Sequence, residues 1–284
     1  MKILNECVPC LMRQAYEAAK MATDNLNIQQ EILKKCAILI SNFTDYNSSP
    51  ELAYHMHNTV KMLTCNNDPY EDIKKKDMLS ALKLYPYLKK ILNDKNNDLY
   101  TALKISAIGN IMDSAIFKDL DVMECIDHQL DMDFTICDIE IFKKDIVKAK
   151  TLLILGDNAG EAVFDRIFIE SLPENLKVYY ATRQAPIIND ATLSDAKSAG
   201  LNNCSTLISS GCMTPGTVLK DCSDEFMDIF DKADIVISKG QGNYETLSDC
   251  SRGIFFLLKA KCPVIAVEVG VAEGSALACF NNGS

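Results

Sequence analysis

The sequence predicts an α/β fold: a mostly parallel sheet covered by helices on both faces, preceded by an all-helical unit. Three observations lead there. Residues 1–114 carry apolar side chains at three- and four-residue spacing with no period-2 alternation, so they read as helices throughout. In the second half, short apolar or β-branched runs alternate with helical stretches at intervals of about 20 to 30 residues, the pattern of crossover units in a parallel sheet. Several of those runs end in polar, glycine-bearing clusters, on the side where an open parallel sheet keeps its ligands.

Asn5 can cap a first helix with Pro9 tolerated in its first turn, and Leu11, Ala15, Ala18 and Ala22 supply its apolar stripe. Similar helices are expected over 29–42, 50–64 and 74–92, separated by turn clusters such as TDYNSSP and LNDKNND. A further helix over 98–112 ends in AIGNIMD, where Gly109 and Asn110 interrupt an apolar face. Both are unfavourable inside a helix and invite a reason, so Asn110 joins the candidate substrate contacts. After a polar region at 119–133, strands are expected at 151–155, 178–182, 205–209, 234–238 and 263–267. Helices over 162–172, 190–199, 217–233 and 244–259 lie between them. With roughly 100 to 200 residues per domain as a guide, the expected division is a helical domain at 1–114 and an α/β domain at 115–284.

The formal charge of −10 and the lack of a Lys/Arg run argue against nucleic acid or an anionic membrane as a partner. KKKD, at 74–77, reads as a solvated helix face. No apolar run approaches the ~18 residues of a membrane span, and MKILNECVPC lacks the pattern of a cleaved signal, so a soluble, cytoplasmic protein is expected. The twelve cysteines are scattered, which suggests reduced thiols.

The α/β half is organised around TLLILGDNAGEAVFD, residues 151–165, read as strand, tight turn and helix. Its turn presents Asp157, Asn158 and Glu161. Asp, Asn and Gly also favour turns for backbone reasons alone. However, TRQAPIINDAT, SSGCMTPGT and SKGQGNYE follow the next three predicted strands in the same way. Asp157, Asn158 and Asp190 offer hard oxygen ligands with no His or Cys nearby in sequence, a set suited to Mg²⁺ or Mn²⁺ and not to structural zinc. Lys239 and Lys259 could bring positive charge to an anion, and Gly211, Gly216, Gly240 and Gly242 could let backbone N–H groups approach it. A metal-plus-phosphate site is the result. There is no Walker A lysine motif, and GQGNYE has Glu245 where a dinucleotide fingerprint needs its third glycine. Cys7 and Cys10 form a CxxC at one helical turn's spacing; packing, metal binding with a distant thiol such as Cys262, and redox chemistry are all open to it. His55 and His57 point to different helix faces and read as surface or core residues.

LLILGDNAGEAVFD, RQAPIINDAT, KGQGNYETL and the leading ECVPCLMRQ resemble the metal-dependent damage-control phosphatases, in particular the branch with an amino-terminal CxxC. The resemblance runs from Cys7 to about Val271. It implies a helical domain followed by a three-layer α/β/α domain. It carries metal ligands over to Asp157, Asn158 and Asp190, and a substrate-contacting segment to Gln241, Gly242, Asn243, Tyr244 and Glu245. A phosphate-binding lysine near the end of the following helix best matches Lys259, with Lys261 two residues away. A related eukaryotic branch carries RTxK where this chain reads FLLK, so that branch's substrate preference does not transfer.

The expected activity is hydrolysis of phosphate monoesters of small metabolites such as sugar phosphates, damaged or overflow metabolites among them, with Mg²⁺, Mn²⁺ or another divalent transition metal. Metal and lysine charge would hold the phosphoryl group while water attacks in line, oriented by Glu161 or Asp190. A covalent route through Asp157 would lack the acid usually found two residues on, where Ala159 stands. Other expectations are a metal-dependent sensor that binds a phosphorylated sugar or nucleotide without turnover, and a thiol redox protein using Cys7 and Cys10.

Overall fold

The computed structural model describes residues 1–109 and 122–283. Its strands are β1 (Ile136–Cys137), β2 (Thr151–Leu155), β3 (Lys177–Thr182), β4 (Thr206–Ser209), β5 (Ile235–Lys239), β6 (Ile254–Lys259) and β7 (Ala276–Asn281). They form one sheet in the order β1-β7-β6-β5-β2-β3-β4, parallel at every pairing except β6 with β7. From β2 the chain winds outward through β3 to β4 and then returns to β5 on β2's other side. The strand order therefore reverses between β2 and β5, and a crevice opens beyond their carboxyl ends.

Alternate residues of β2 explain the two layers of helices, since successive side chains leave a strand on opposite faces. Leu152 and Ile154 belong to a buried cluster with Leu88 of α4 (Glu71–Asp94), Ile105 of α5 (Leu99–Gly109) and Phe164 of α8 (Glu161–Ile169). Leu153 and Leu155 join the opposite cluster, with Phe226 of α10 (Asp224–Lys232), Leu247 of α11 (Gln241–Leu247) and Ile265 of α12 (Pro263–Val269). A third cluster lies within α1 (Cys7–Ala22), α2 (Leu26–Ser41) and α3 (Ser49–Thr64), around Leu11, Ile32, Leu52 and Met56. The helices α6 (Val122–Asp131), α7 (Ile139–Ile146) and α9 (Leu193–Ser198) complete the described elements longer than a 3₁₀ turn. Among the described residues no helix is long and apolar enough to cross a membrane.

The α/β architecture is as the sequence predicts, and four of the five expected strands are β2 to β5. The carboxyl-terminal elements differ. Residues 263–267 are not a strand but lie in α12, started by Pro263 and closed by Gly270 at φ 76°. The single helix expected over 244–259 is instead the short α11 followed by β6. IFFLLK is buried on both faces, and such a run has neither helical nor strand periodicity. The expected Asn5 cap is also different: α1 starts after Glu6, and Asn5 supplies only its carbonyl, to Val8 N–H at 3.2 Å. The elements β1, β7, α6 and α7 were not expected.

Candidate active site

A cleft of about 240 Å³ opens at the carboxyl ends of β2 and β5. Asp157, Asn158, Asp190 and Asn189 form one end of its lining, and Gln241, Gly242, Glu245 and Lys261 border it from the α11 side. The amino-terminal helices also line it, through Leu11 and Gln14 of α1 and Ser49, Pro50 and Ala53 of α3.

Backbone pairing joins the two loops that carry the expected metal ligands. Asn158 and Asp190 form an isolated antiparallel bridge; Ala191 N–H donates to the Asp157 carbonyl at 2.7 Å, and Ala159 N–H to that of Asn189 at 2.9 Å. Ile188, in the same loop, adopts φ 45°, a left-handed conformation rare for a β-branched side chain. Gly240 makes a close approach possible on the other side. It sits at φ 79°, and a Cβ there would lie 1.9 Å from Asp157 Oδ2.

Two buried cations lie behind this surface. Arg183, 3 % exposed, donates from Nε to Asp190 Oδ2 at 2.7 Å, from Nη1 to Thr217 Oγ1 at 3.0 Å and from Nη2 to Asn243 Oδ1 at 3.0 Å. Asn243 is itself fixed, because its amide donates to the carbonyls of Lys239 at 2.8 Å and Gly156 at 3.3 Å. Lys239, 1 % exposed, lies 2.5 Å from both Glu161 and Asp165 and donates to Ser106 Oγ at 2.8 Å. Asp165 also accepts from Ser106 Oγ and from the Tyr180 hydroxyl, at 2.6 and 2.8 Å. Burial, with Asp165 and Asp157 nearby, pushes the Glu161 carboxyl up to about 7 against the opposing pull of Lys239. Burial also raises the Asp190 carboxyl, although Arg183 pulls it down. In this group the carboxylates Asp157, Asp190, Glu161 and Asp165 face the cations Lys239 and Arg183, a formal excess of two negative charges when all are ionised. An all-oxygen donor set beside that excess fits a hard divalent cation.

Asp157, Asn158, Asp190, Gln241, Gly242 and Glu245 thus meet in one cleft, whereas other site candidates read from the sequence lie elsewhere. Glu161 and Lys239 are buried beneath it and paired with each other, and Asn243 is a buried bridge between loops. Tyr244 packs edge-on against Phe256, 5.0 Å between ring centres. Lys259 ends β6 opposite Ala276 and is not in the cleft lining; Lys261 is, with its N–H bonded to Gln241 Oε1 at 3.0 Å. Asn110 lies outside the described residues. Gly109 has its reason: a Cβ there would come within 2.8 Å of Glu161 Cγ and 3.2 Å of Glu161 Cα. Cys10 Sγ accepts from Arg13 and Gln14, each at 3.8 Å, so the CxxC helix is also the helix that walls the cleft. His57 is buried and His55 is exposed. Among the described residues no three His, Cys, Asp or Glu side chains cluster as a metal site, and the donor set here includes the Asn158 amide. Sequence reasoning missed Arg183 and Asp165. The available signal for Arg183 was its position as the first residue after a strand on the ligand side.

The model of the damage-control phosphatase ARMT1-like domain matches residues 3–277. A damage-control phosphatase of Pyrococcus horikoshii is 38 % identical over 99 % of this chain and 99 % of its own length. One from Archaeoglobus fulgidus is 30 % identical over 98 % of this chain and 99 % of its own. The crystal structure of a DUF89 family protein from Pyrococcus horikoshii superposes with a TM-score of 0.89 at 34 % identity, covering 99 % of this chain and 100 % of that one. A family model spanning almost the whole chain, full-length relatives and a shared fold lead to one assignment: the chain belongs to the damage-control phosphatase family.

Proposed function

We propose that the chain is a divalent-metal-dependent phosphatase acting on phosphate monoesters of small metabolites, sugar phosphates and damaged or overflow metabolites among them. The observation that carries this reading is the meeting of Asp157, Asn158 and Asp190, from the loops after β2 and β3, at one end of the cleft that Lys261 also lines. Family membership supports the phosphatase class, and the oxygen donors with their acidic surroundings support Mg²⁺ or Mn²⁺. Asp157, Asn158 and Asp190 would hold the cation, which when bound supplies Lewis-acid charge to the phosphoryl oxygens.

The chain's own residues supply the rest. Lys261 would face the phosphoryl group and balance its charge. Asp190, held by Arg183, would orient the attacking water in line with the departing oxygen. In this reading Glu161 acts from below, because its carboxylate is tied to Lys239 and its Oε2 lies 3.5 Å from Asn158 N–H. Gln241 and Glu245 would border the leaving group, and Leu11 and Pro50 would supply apolar cover to the same cleft.

The test is phosphate release from p-nitrophenyl phosphate and a set of phosphorylated metabolites, with Mg²⁺, Mn²⁺, Co²⁺ or Ni²⁺ added to chelator-treated protein. Turnover should need added metal. Asp157→Ala, Asn158→Ala and Asp190→Asn, the last of which keeps an acceptor for the buried Arg183, should each abolish it, and circular dichroism should report an intact fold. Full activity in excess chelator would reject the metal requirement. Ligand binding that depends on metal, with no phosphate released from any substrate, would make the chain a sensor.

A further inference from the structure

We propose that Arg183 is a positioning residue: it sets the affinity of the cleft for its divalent cation by fixing the carboxylate of Asp190, and it does not bind the phosphoryl group. The proposal rests on the metal-dependent reading above. An arginine just past a strand on the ligand side of a phosphatase would ordinarily be read as a phosphate clamp, since its fork matches a phosphate's oxygens. Here the fork is already committed. Each of the three guanidinium nitrogens donates to a protein acceptor, Asp190, Thr217 or Asn243, and the side chain is 3 % exposed and absent from the cleft lining.

Those acceptors come from three different connections, after β3, after β4 and after β5. Each is held in turn. Thr217 Oγ1 donates to Asn243 Oδ1 at 2.8 Å, and Asn243 is anchored on the Lys239 carbonyl that ends β5 and on the Gly156 carbonyl just past β2. Arg183 thereby ties Asp190 to the rigid ends of the sheet. The loop's backbone is already tied to the Asp157 loop through Ala191 N–H and Ala159 N–H, so what Arg183 adds is the hold on the Asp190 side chain itself. Thr217 and Asn243 fix the guanidinium plane, so its Nε–H meets Asp190 Oδ2 from one set direction, whereas an ammonium would hold the carboxylate only by charge. Removing a partner that orients a metal ligand typically weakens metal binding by ~10- to 100-fold.

The test uses Arg183→Lys and Thr217→Val in the full chain. Mn²⁺ is titrated calorimetrically into substrate-free protein, melting is recorded alongside, and KM for p-nitrophenyl phosphate is measured at saturating Mn²⁺. Arg183→Lys should weaken Mn²⁺ binding by roughly 10- to 100-fold and leave KM at saturating Mn²⁺ within about twofold. Thr217→Val, which removes one acceptor but keeps the guanidinium, should weaken Mn²⁺ binding by a smaller factor, and it decides the matter if Arg183→Lys does not fold. Parental Mn²⁺ affinity in the folded variants would overturn the proposal, as would a raised KM with Mn²⁺ affinity unchanged, which would make Arg183 a phosphate contact. Those failures differ from failure of the metal reading itself, in which the parent protein would bind no Mn²⁺ and take the proposal with it.

Discussion

Held between Glu161 and Asp165, Lys239 offsets part of the charge of two carboxylates that would otherwise lie without a cation in contact at the base of the cleft. Its contribution is therefore to stability first. Breaking a buried ion pair from one side leaves charge in a low-dielectric interior, so Lys239→Met should cost about 3 to 5 kcal/mol in urea denaturation. Lys261→Ala, at the open cleft, should instead leave the urea midpoint unchanged and lower kcat/KM by roughly 10²-fold, the scale of one lost electrostatic contact to a transition state. Lys259→Ala should resemble the parent in kcat/KM; a loss as large as that of Lys261→Ala would return the phosphate lysine to β6. The contrast shows what the sequence could reveal at this scale. Asp157, Asn158 and Asp190 were legible because oxygen-bearing side chains in turns after strands announce a ligand side. The burial of Lys239 was not, because its partner Ser106 lies 133 positions away and only the packing of α5 brings it near.

Between elements, the contact of α5 with α8 controls how closely Glu161 and Ser106 approach Lys239. Gly109 ends α5 against the first turn of α8, where an added Cβ would meet Glu161 Cγ, Phe164 Cβ at 3.1 Å and the Glu161 backbone. Backbone cannot step aside as a flexible side chain can, so Gly109→Val should force the helices apart. The expected result is a loss of about 1 to 3 kcal/mol from overpacking, read from urea midpoints, together with lower kcat because Glu161 moves. An unchanged midpoint would mean that α5 can shift freely. Helices and strands with one exposed face were readable from their periodicity, and β2 to β5 were readable from the polar turns after them. The carboxyl-terminal part was harder. In α12, Pro263 and Gly270 are ordinary helix start and stop signals, but the β-branched run between them favours a strand locally. In β6, alternate side chains enter the two opposite clusters and both faces are covered, which erases the alternation that marks a half-exposed strand.

Across the whole molecule, the α1–α3 layer has its own buried cluster yet meets the sheet unit outside the cleft as well, where Lys220 pairs with Glu51 and Lys61 donates to the Pro186 carbonyl. His57 lies beside that junction. It is 4 % exposed, its ring meets Tyr70 edge-on at 5.8 Å, and its Nε2 makes no hydrogen bond within the protein. Burial, reinforced by the Lys61 charge, lowers its pKa from 6.5 to about 4. The sign follows from linkage. Between pH 6.5 and 4 the unfolded chain takes up a proton on His57 that the folded chain refuses, so stability is full above 6.5 and is lost as pH falls through that window. At 1.36 kcal/mol per pKa unit the loss is on the order of 3 kcal/mol by pH 4. Glu161 works in the opposite sense, because burial raises its folded pKa to about 7 and protonation relieves it as pH falls. A single stability curve would mix the two. The measurement is therefore the difference in urea-unfolding free energy between the parent and His57→Phe, which keeps a planar ring against Tyr70 and leaves the carboxylates common to both proteins. That difference should be flat above pH 6.5, change steadily in favour of His57→Phe down to about pH 4, and flatten again below it. A difference that stays constant from pH 8 to 4 would mean that His57 takes up its proton as readily in the folded chain as in the unfolded one, and the α1–α3 junction would then be open to water.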